Sequence, residues 1–221
     1  MRTGKVFFWR ALPAIWTLAF TAVAQAGSLN AHVTTPDGEP LLAAVVTATP
    51  AGQTSIPAKA GTKAVMIQEG KQFVPFVLPV QIGTTVEFPN HDPFRHQVYS
   101  FSPAKTFELK LYGGSAVSPV VFDKEGIVPL GCNIHDNMLA YVYVVGTPYF
   151  SATNDTGEGK IGQLPPGSYT VKVWHPNQKA GQPDTRTIDV TATGTADITI
   201  PVELKRGRTQ RKPGAVDETY N

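Results

Sequence analysis

The sequence predicts an all-β protein, and three observations carry that expectation. Glycine and proline are abundant, 20 and 19 among 221 residues, too many helix breakers for a bundle of helices. Apolar residues make up 42 % of the chain and charged ones only 16 %, which is too apolar for a disordered chain. Short runs of alternating apolar and polar residues recur between Gly, Pro, Asn and Asp turn signals, and no amphipathic helix longer than about two turns can be drawn.

The elements follow in order. Arg2, Lys5 and Arg10 precede a short apolar stretch that ends at Ala24-Gln25-Ala26, the pattern of an export leader cleaved after Ala26. Residues 1–26 are therefore excluded from the fold. Leu29, Ala31 and Val33 alternate with polar neighbours, Asp37-Gly38 turns, and 43–49 forms a second strand. Residues 51–63 are rich in Ala, Gly, Pro, Ser and Thr without period, a linker. Strands are then expected at 65–67, 73–80, 84–88, 97–101, 117–122 and 139–145. After Gly146 the alternating texture returns, with a turn at Asp155-Thr156-Gly157 and strands at 169–174, 186–190 and 196–202. Residues 205–221 carry Lys205, Arg206, Arg208, Arg211 and Lys212 without apolar pattern, a disordered basic tail.

Charge excludes one class of partner. The formal net charge is +2, and with leader and tail set aside the body is net acidic, so nucleic acid is not expected. No later stretch approaches the roughly 18 apolar residues of a membrane span. The single cysteine, Cys132, is a liability in an exported chain unless it is buried, paired between molecules or put to work.

Its neighbours point to work. Cys132-Asn133-Ile134-His135-Asp136-Asn137-Met138 places a thiol, an imidazole and a thioether within one loop. Zinc prefers four Cys, His or carboxylate ligands, whereas two imidazoles and a thiolate with a weak axial methionine form a copper electron-transfer site. Such a site needs a second histidine. His96 opens a strand after the polar turn 89–95 and is preferred to His91, which sits in the turn itself. His32, in an outer strand, and His175, before Pro176, are read as structural.

The ordered run Phe73-x-Pro75, Gly83-Thr84-Thr85-Val86-Glu87-Phe88, Asn90-x-Asp92, His96-x-Val98 and Cys132-x-x-His135-x-x-Met138 resembles the cupredoxins, the type 1 blue copper proteins. The spacing around His135 is similar to their amicyanin branch. The resemblance covers 64–146 and implies a Greek-key β-sandwich. It also implies one copper ion held by His96, Cys132, His135 and Met138, with the carbonyl of Arg95 as a distant fifth contact. Two departures stand out: Gln97 replaces the Asn common after the first histidine, and Asp136-Asn137 replaces apolar residues in the ligand loop.

The flanks carry a second resemblance. Residues 28–33, Asp37-Gly38-x-Pro40 and Ala43-Ala44-Val45-Val46 resemble the opening strands of a carboxypeptidase regulatory-like (transthyretin-like) β-sandwich. That family's later pattern is resumed only at 153–157 and at Leu164-Pro165-Pro166-Gly167-Ser168-Tyr169-Thr170-Val171. The expectation is that 27–50 plus 147–204 form this sandwich, with the cupredoxin domain inserted between its halves. The alternative adds the first hairpin to the cupredoxin sheet.

The leader pattern and the cupredoxin resemblance together imply an exported, periplasmic carrier of single electrons rather than an enzyme. Its expected partners are redox proteins, a periplasmic dehydrogenase as donor and a c-type cytochrome as acceptor. The rival reading is a protein that delivers or stores copper. It ranks second because such sites expose Met or Cys clusters, and beyond the initiator only Met66 and Met138 are present.

Overall fold

Alternation becomes burial most regularly in β1 (Gly27–Thr34), where every second residue is buried. The structure, a computed structural model, describes residues 26–114, 118–179 and 184–205. The expected leader up to residue 25 and the expected tail after Lys205 lie outside the described residues.

The chain continues through β2 (Val45–Pro50), β3 (Lys63–Val65), β4 (Ile67–Glu69), β5 (Gln72–Val74), β6 (Val77–Gln81), β7 (Thr84–Glu87), β8 (His96–Ser102) and β9 (Lys105–Tyr112). It then forms β10 (Val120–Phe122), β11 (Gly126–Gly131), β12 (Leu139–Val145), β13 (Phe150–Ala152), β14 (Glu158–Leu164), β15 (Gly167–Trp174), β16 (Asp184–Val190) and β17 (Thr195–Pro201). No described residue is helical, so the predicted all-β class holds.

Four sheets build two cores. The sheet β10-β7-β3 faces the five-stranded sheet β6-β12-β11-β8-β9 across a core that includes Val86, Phe88, Phe122, Val98, Val128, Leu130 and Val142. The sheet β14-β1-β17 faces β13-β2-β15-β16 across Leu29, Val33, Val46, Ala48, Leu164, Val171 and Ile200. β1 and β2 thus pair with strands after Gly146: β1 with β14 and β17, β2 with β13 and β15. His32 consequently sits in the middle strand of its sheet, not in an outer one.

Val45, Val77 and Val145 are buried yet belong to neither core. Their strand partners explain this. Val45 is opposite Trp174 and Val77 is beside Tyr141, and the Trp174 ring lies 5.7 Å from Tyr141 and 5.2 Å from Tyr143. The outer faces of the five- and four-stranded sheets therefore close on one another, as sheets with an apolar outer face must.

The expected linker is stitched down rather than free. Ile56 N–H donates to Gly146 O at 2.7 Å, Ala58 N–H to Ile82 O at 2.7 Å, and Gln81 Nε2 donates to Ile56 O at 2.8 Å. The predicted strand over 73–80 is two, β5 and β6, because Pro75 offers no N–H to continue a ladder. Strands β9, β11, β13 and β14 are additions to the sequence reading. Pro129 masks β11, although its missing donor costs little: the only ladder pair between β11 and β8 is Gly131 with Tyr99. Gly159 weakens the signal of β14, and its bare Cα is what lets the strand approach Val46, whose Cγ2 would lie 3.2 Å from a Cβ there.

Candidate metal centre

Two loops meet at one end of the first sandwich. The 88–95 loop links β7 to β8 and delivers His96 as the first residue of β8. The 132–138 loop links the antiparallel neighbours β11 and β12, so its residues emerge beside β8. Gly131 makes the junction possible: the Tyr99 ring lies over it, with Cζ 2.7 Å from where a Cβ would stand. Met138 N–H donates to His135 O at 3.0 Å, closing a turn with Asp136-Asn137 at its centre. Both residue types favour such turns.

The donor atoms of His96, Cys132 and His135 all lie within 4.8 Å of one another, and Cys132 Sγ is 4.0 Å from His96 Nδ1. His96 is buried completely, and Cys132 and Met138 almost so. Met138 closes the turn that starts at His135. His135 is partly exposed, but its Nδ1 is buried without any hydrogen-bond partner. A buried ring nitrogen without a partner is costly. A metal ion bound among these three side chains removes that cost, so the residues fit one. His91 is exposed and outside the group, and Arg95 adjoins it in sequence.

The loops are braced from behind. Asn90, buried, donates to Phe94 O at 2.8 Å and to Tyr112 O at 3.0 Å, and its Oδ1 accepts the Asp92 N–H at 2.9 Å. Gln68 donates to Phe88 O at 3.1 Å and to the Tyr112 hydroxyl. Burial above all, with the nearby Cys132, pushes the Tyr112 hydroxyl up to about 12 against the Gln68 bond, so it stays protonated and donates to Phe88 O at 2.6 Å. Gln97 reaches Glu108 at 2.6 Å, tying β8 to β9 rather than the two ligand loops to each other.

Burial pushes the His135 imidazole below its ordinary range, and the His96 ring and the Lys71 ammonium push it further, against Asp92. The neutral ring is the metal-binding form. Burial raises the Asp92 carboxyl, but bonds from His96, Lys71 N–H and Gly70 N–H outweigh it and hold it low. Phe94 packs its ring 5.1 Å from His96 and 5.5 Å from His135. Asp92 and Phe94 are thus parts of the site that the ligand pattern alone does not single out. The position of Asp92 four residues before His96 was the available signal.

No family model and no curated protein matches the chain. Among solved structures it is similar to a Cu-containing nitrite reductase (NirK) from Thermus scotoductus SA-01, at 26 % identity and TM-score 0.37, over 42 % of this chain and 26 % of that one. It is also similar to the reduced form of an amicyanin carrying a single tryptophan-to-tyrosine substitution, at 18 % identity and TM-score 0.36, over 45 % of this chain and 99 % of that one. A purple cupredoxin from Nitrosopumilus maritimus matches at 21 % identity and TM-score 0.33, over 38 % of this chain and 99 % of that one. The chain spans about a quarter of the nitrite reductase. These neighbours are cupredoxins or contain copper, while the site itself is defined here by its own side chains: an all-β frame presenting two imidazoles and a thiol to one point.

Proposed function

We propose that the chain is an exported blue-copper electron carrier in which His96, Cys132, His135 and Met138 hold one copper ion. The observation that carries the reading is the convergence of the His96, Cys132 and His135 donors within 4.8 Å, with His135 Nδ1 buried and unpartnered. Two imidazoles and a thiolate select copper over zinc, and a thioether neighbour strengthens that choice. Bound copper would supply a one-electron couple. The protein's own part is to hold the ligands still through braced loops and to keep water from Cys132 and His96. His135 presents its outer edge beside Phe94 and the exposed Ile134. A carrier role, rather than an enzymatic one, is favoured because four side-chain ligands leave no open position for substrate.

The same reading includes the arrangement of the chain. The metal-binding sandwich at 64–146 is inserted into a transthyretin-like sandwich built from 27–50 and 147–204, a reading supported by the pairing of β1 and β2 with later strands. The leader pattern at 1–26 supports a periplasmic location. No helix among the described residues is long and apolar enough to cross a membrane. Redox proteins, a dehydrogenase and a c-type cytochrome, are the partners proposed.

The test is Cu(II) added to the purified protein. An intense visible band from thiolate to copper is expected, absent in Cys132→Ser and His96→Ala. A colourless protein that takes up only Cu(I) would reject the carrier and favour copper delivery or storage.

A further inference from the structure

Asp92 gathers three hydrogen bonds on one carboxylate. Gly70 N–H donates to Oδ1 at 2.8 Å and Lys71 N–H to Oδ2 at 3.0 Å. His96 Nε2 lies 2.7 Å from Oδ2. The two backbone groups are donors without alternative, one on each oxygen, so both oxygens already act as acceptors. An ionised carboxylate only accepts, and accepting here as well puts the hydrogen on Nε2 of His96. The ring's other nitrogen, Nδ1, then carries the lone pair, and it is the atom that faces Cys132 Sγ at 4.0 Å. The His96 side chain is 0 % exposed and that of Asp92 9 %, so solvent does not compete for these bonds.

We propose that Asp92 is a positioning residue for the metal: it fixes the tautomer and orientation of His96 and strengthens that ring as a donor, favouring Cu(II) over Cu(I). The inference deepens the copper reading and rests on it. A carboxylate on the far N–H of a ligating imidazole raises ligand basicity, and loss of such a partner typically costs 10–100-fold in metal affinity. The stronger donor serves the more highly charged ion more, so the reduction potential is held down. Asp92 does this from a fixed base. Through Gly70 and Lys71 it is anchored to the tip of the β4–β5 hairpin, and through its own N–H to Asn90, so the ring cannot swing without breaking bonds on two loops.

Asp92→Asn is the sharp perturbation. An amide has one acceptor oxygen, so its NH2 must oppose the Gly70 N–H or the Lys71 and His96 pair. Full-length protein is compared before and after the substitution by Cu(II) titration, Cu(I) titration and potentiometry. The expected result is a 10–100-fold loss of Cu(II) affinity with Cu(I) affinity less affected. Each tenfold difference between the two raises the potential by about 59 mV. Asp92→Glu, which restores the charge on a longer arm, should recover part of the shift. If Asp92→Asn is blue with unchanged potential and affinities, the positioning role is overturned and Asp92 only staples the hairpin. A second readout needs neither substitution nor metal: ¹⁵N-resolved NMR of the metal-free protein. A slowly exchanging His96 Nε2–H supports the inference, and a ring protonated on Nδ1 overturns it. If the unsubstituted protein fails to turn blue while that Nε2–H is present, the carrier reading fails and the tautomer assignment stands.

Discussion

The interior between β10-β7-β3 and the five-stranded sheet includes Cys132 and Met138 among its buried residues, with His96 buried at its edge. The interior between β14-β1-β17 and β13-β2-β15-β16 is lined by Leu, Ile, Val, Ala and a single Tyr169. The same contrast holds for polar atoms. Gln68 Oε1, Thr84 Oγ1 and His135 Nδ1 are buried without partners, and all three belong to the first sandwich. In the second, Thr153 and His175 are buried but hydrogen-bonded. Unpaired polar groups are destabilising, and here that cost falls in the sandwich with the donor group while the other has an ordinary apolar core. The seam through Val45, Val77, Val145 and Trp174 joins the two, so the stable half can support the one that carries chemistry.

The largest test of this contrast removes Phe122, whose ring is fully buried and packs edge-on to Phe107 at 6.0 Å. Phe122→Ala should cost about 5 kcal/mol, the upper end for a buried ring. Trp174 is the only tryptophan after residue 26, since Trp9 and Trp16 both precede it, and in protein lacking residues 1–26 it reports on the seam. With the seam intact, Trp174 fluorescence and β-sheet circular dichroism should lose stability together in urea. Separate transitions, with Trp174 unmoved, would break the idea that the halves support each other.

Metal loading acts from the opposite direction. Free Cu(II) held about a thousandfold above its Kd should add about 4 kcal/mol to unfolding, because only the folded state assembles the three donors. Urea titrations with and without copper measure this. The stabilisation should vanish in Cys132→Ser, and stabilisation that survives there would mean that copper binds elsewhere.

The second sandwich carries its own pH dependence. Burial pushes His175 down to about 4, against a hydrogen bond with the Leu42 backbone that favours the charged ring. Its Nδ1 accepts the Asn177 N–H at 3.2 Å, so a proton there has no room. The folded state therefore binds this proton more weakly than the unfolded chain, whose histidine titrates near 6.5. Stability from this group is complete above about 6.5 and is lost as pH falls toward 4, by about 3 kcal/mol at pH 4. Denaturation midpoints between pH 7 and pH 4 measure the loss, and His175→Asn should remove most of it. An equal slope in that variant would assign the dependence to other groups.

How much of this was legible in the residues alone differs between the two halves for a physical reason. Cys132, His135 and Met138 lie within seven residues on one loop, so local spacing nearly defines their meeting. His96 had to be placed by inference from a strand start, and the structure puts its ring against the loop. Asp92 was visible only as part of a motif, because its role depends on a three-dimensional meeting with Gly70 and Lys71. Strand β11 was hidden by Pro129, since a proline in a central strand normally argues against one. The seam was illegible: Val45 and Val145 lie in the expected strands 43–49 and 139–145 like any other apolar strand residue, and only the facing of two sheets shows that they belong to neither core.

The smallest prediction concerns the joint between the first segment and the rest of its sandwich. Thr153 Oγ1 donates to Leu41 O at 2.5 Å and accepts the Ala44 N–H at 2.9 Å. Its own backbone exchanges bonds with Ala43 and Ala44 at 3.0 and 2.8 Å. One side chain thus seals a turn in which Ala43 takes a positive φ of 61°, joining residues more than a hundred positions apart. Thr153→Val keeps the shape and removes the hydroxyl, leaving Ala44 N–H and Leu41 C=O buried without it. The expected loss is about 2 kcal/mol, read from urea midpoints. The partly exposed Ser151, whose hydroxyl donates to Ala152 O at 3.2 Å, is the control, and Ser151→Ala should change little. A Thr153→Val protein as stable as the control would mean that 41–44 is not docked on the chain after Gly146. The proposed nested arrangement would lose its closest joint, and with it the support for building the second sandwich from two separated segments.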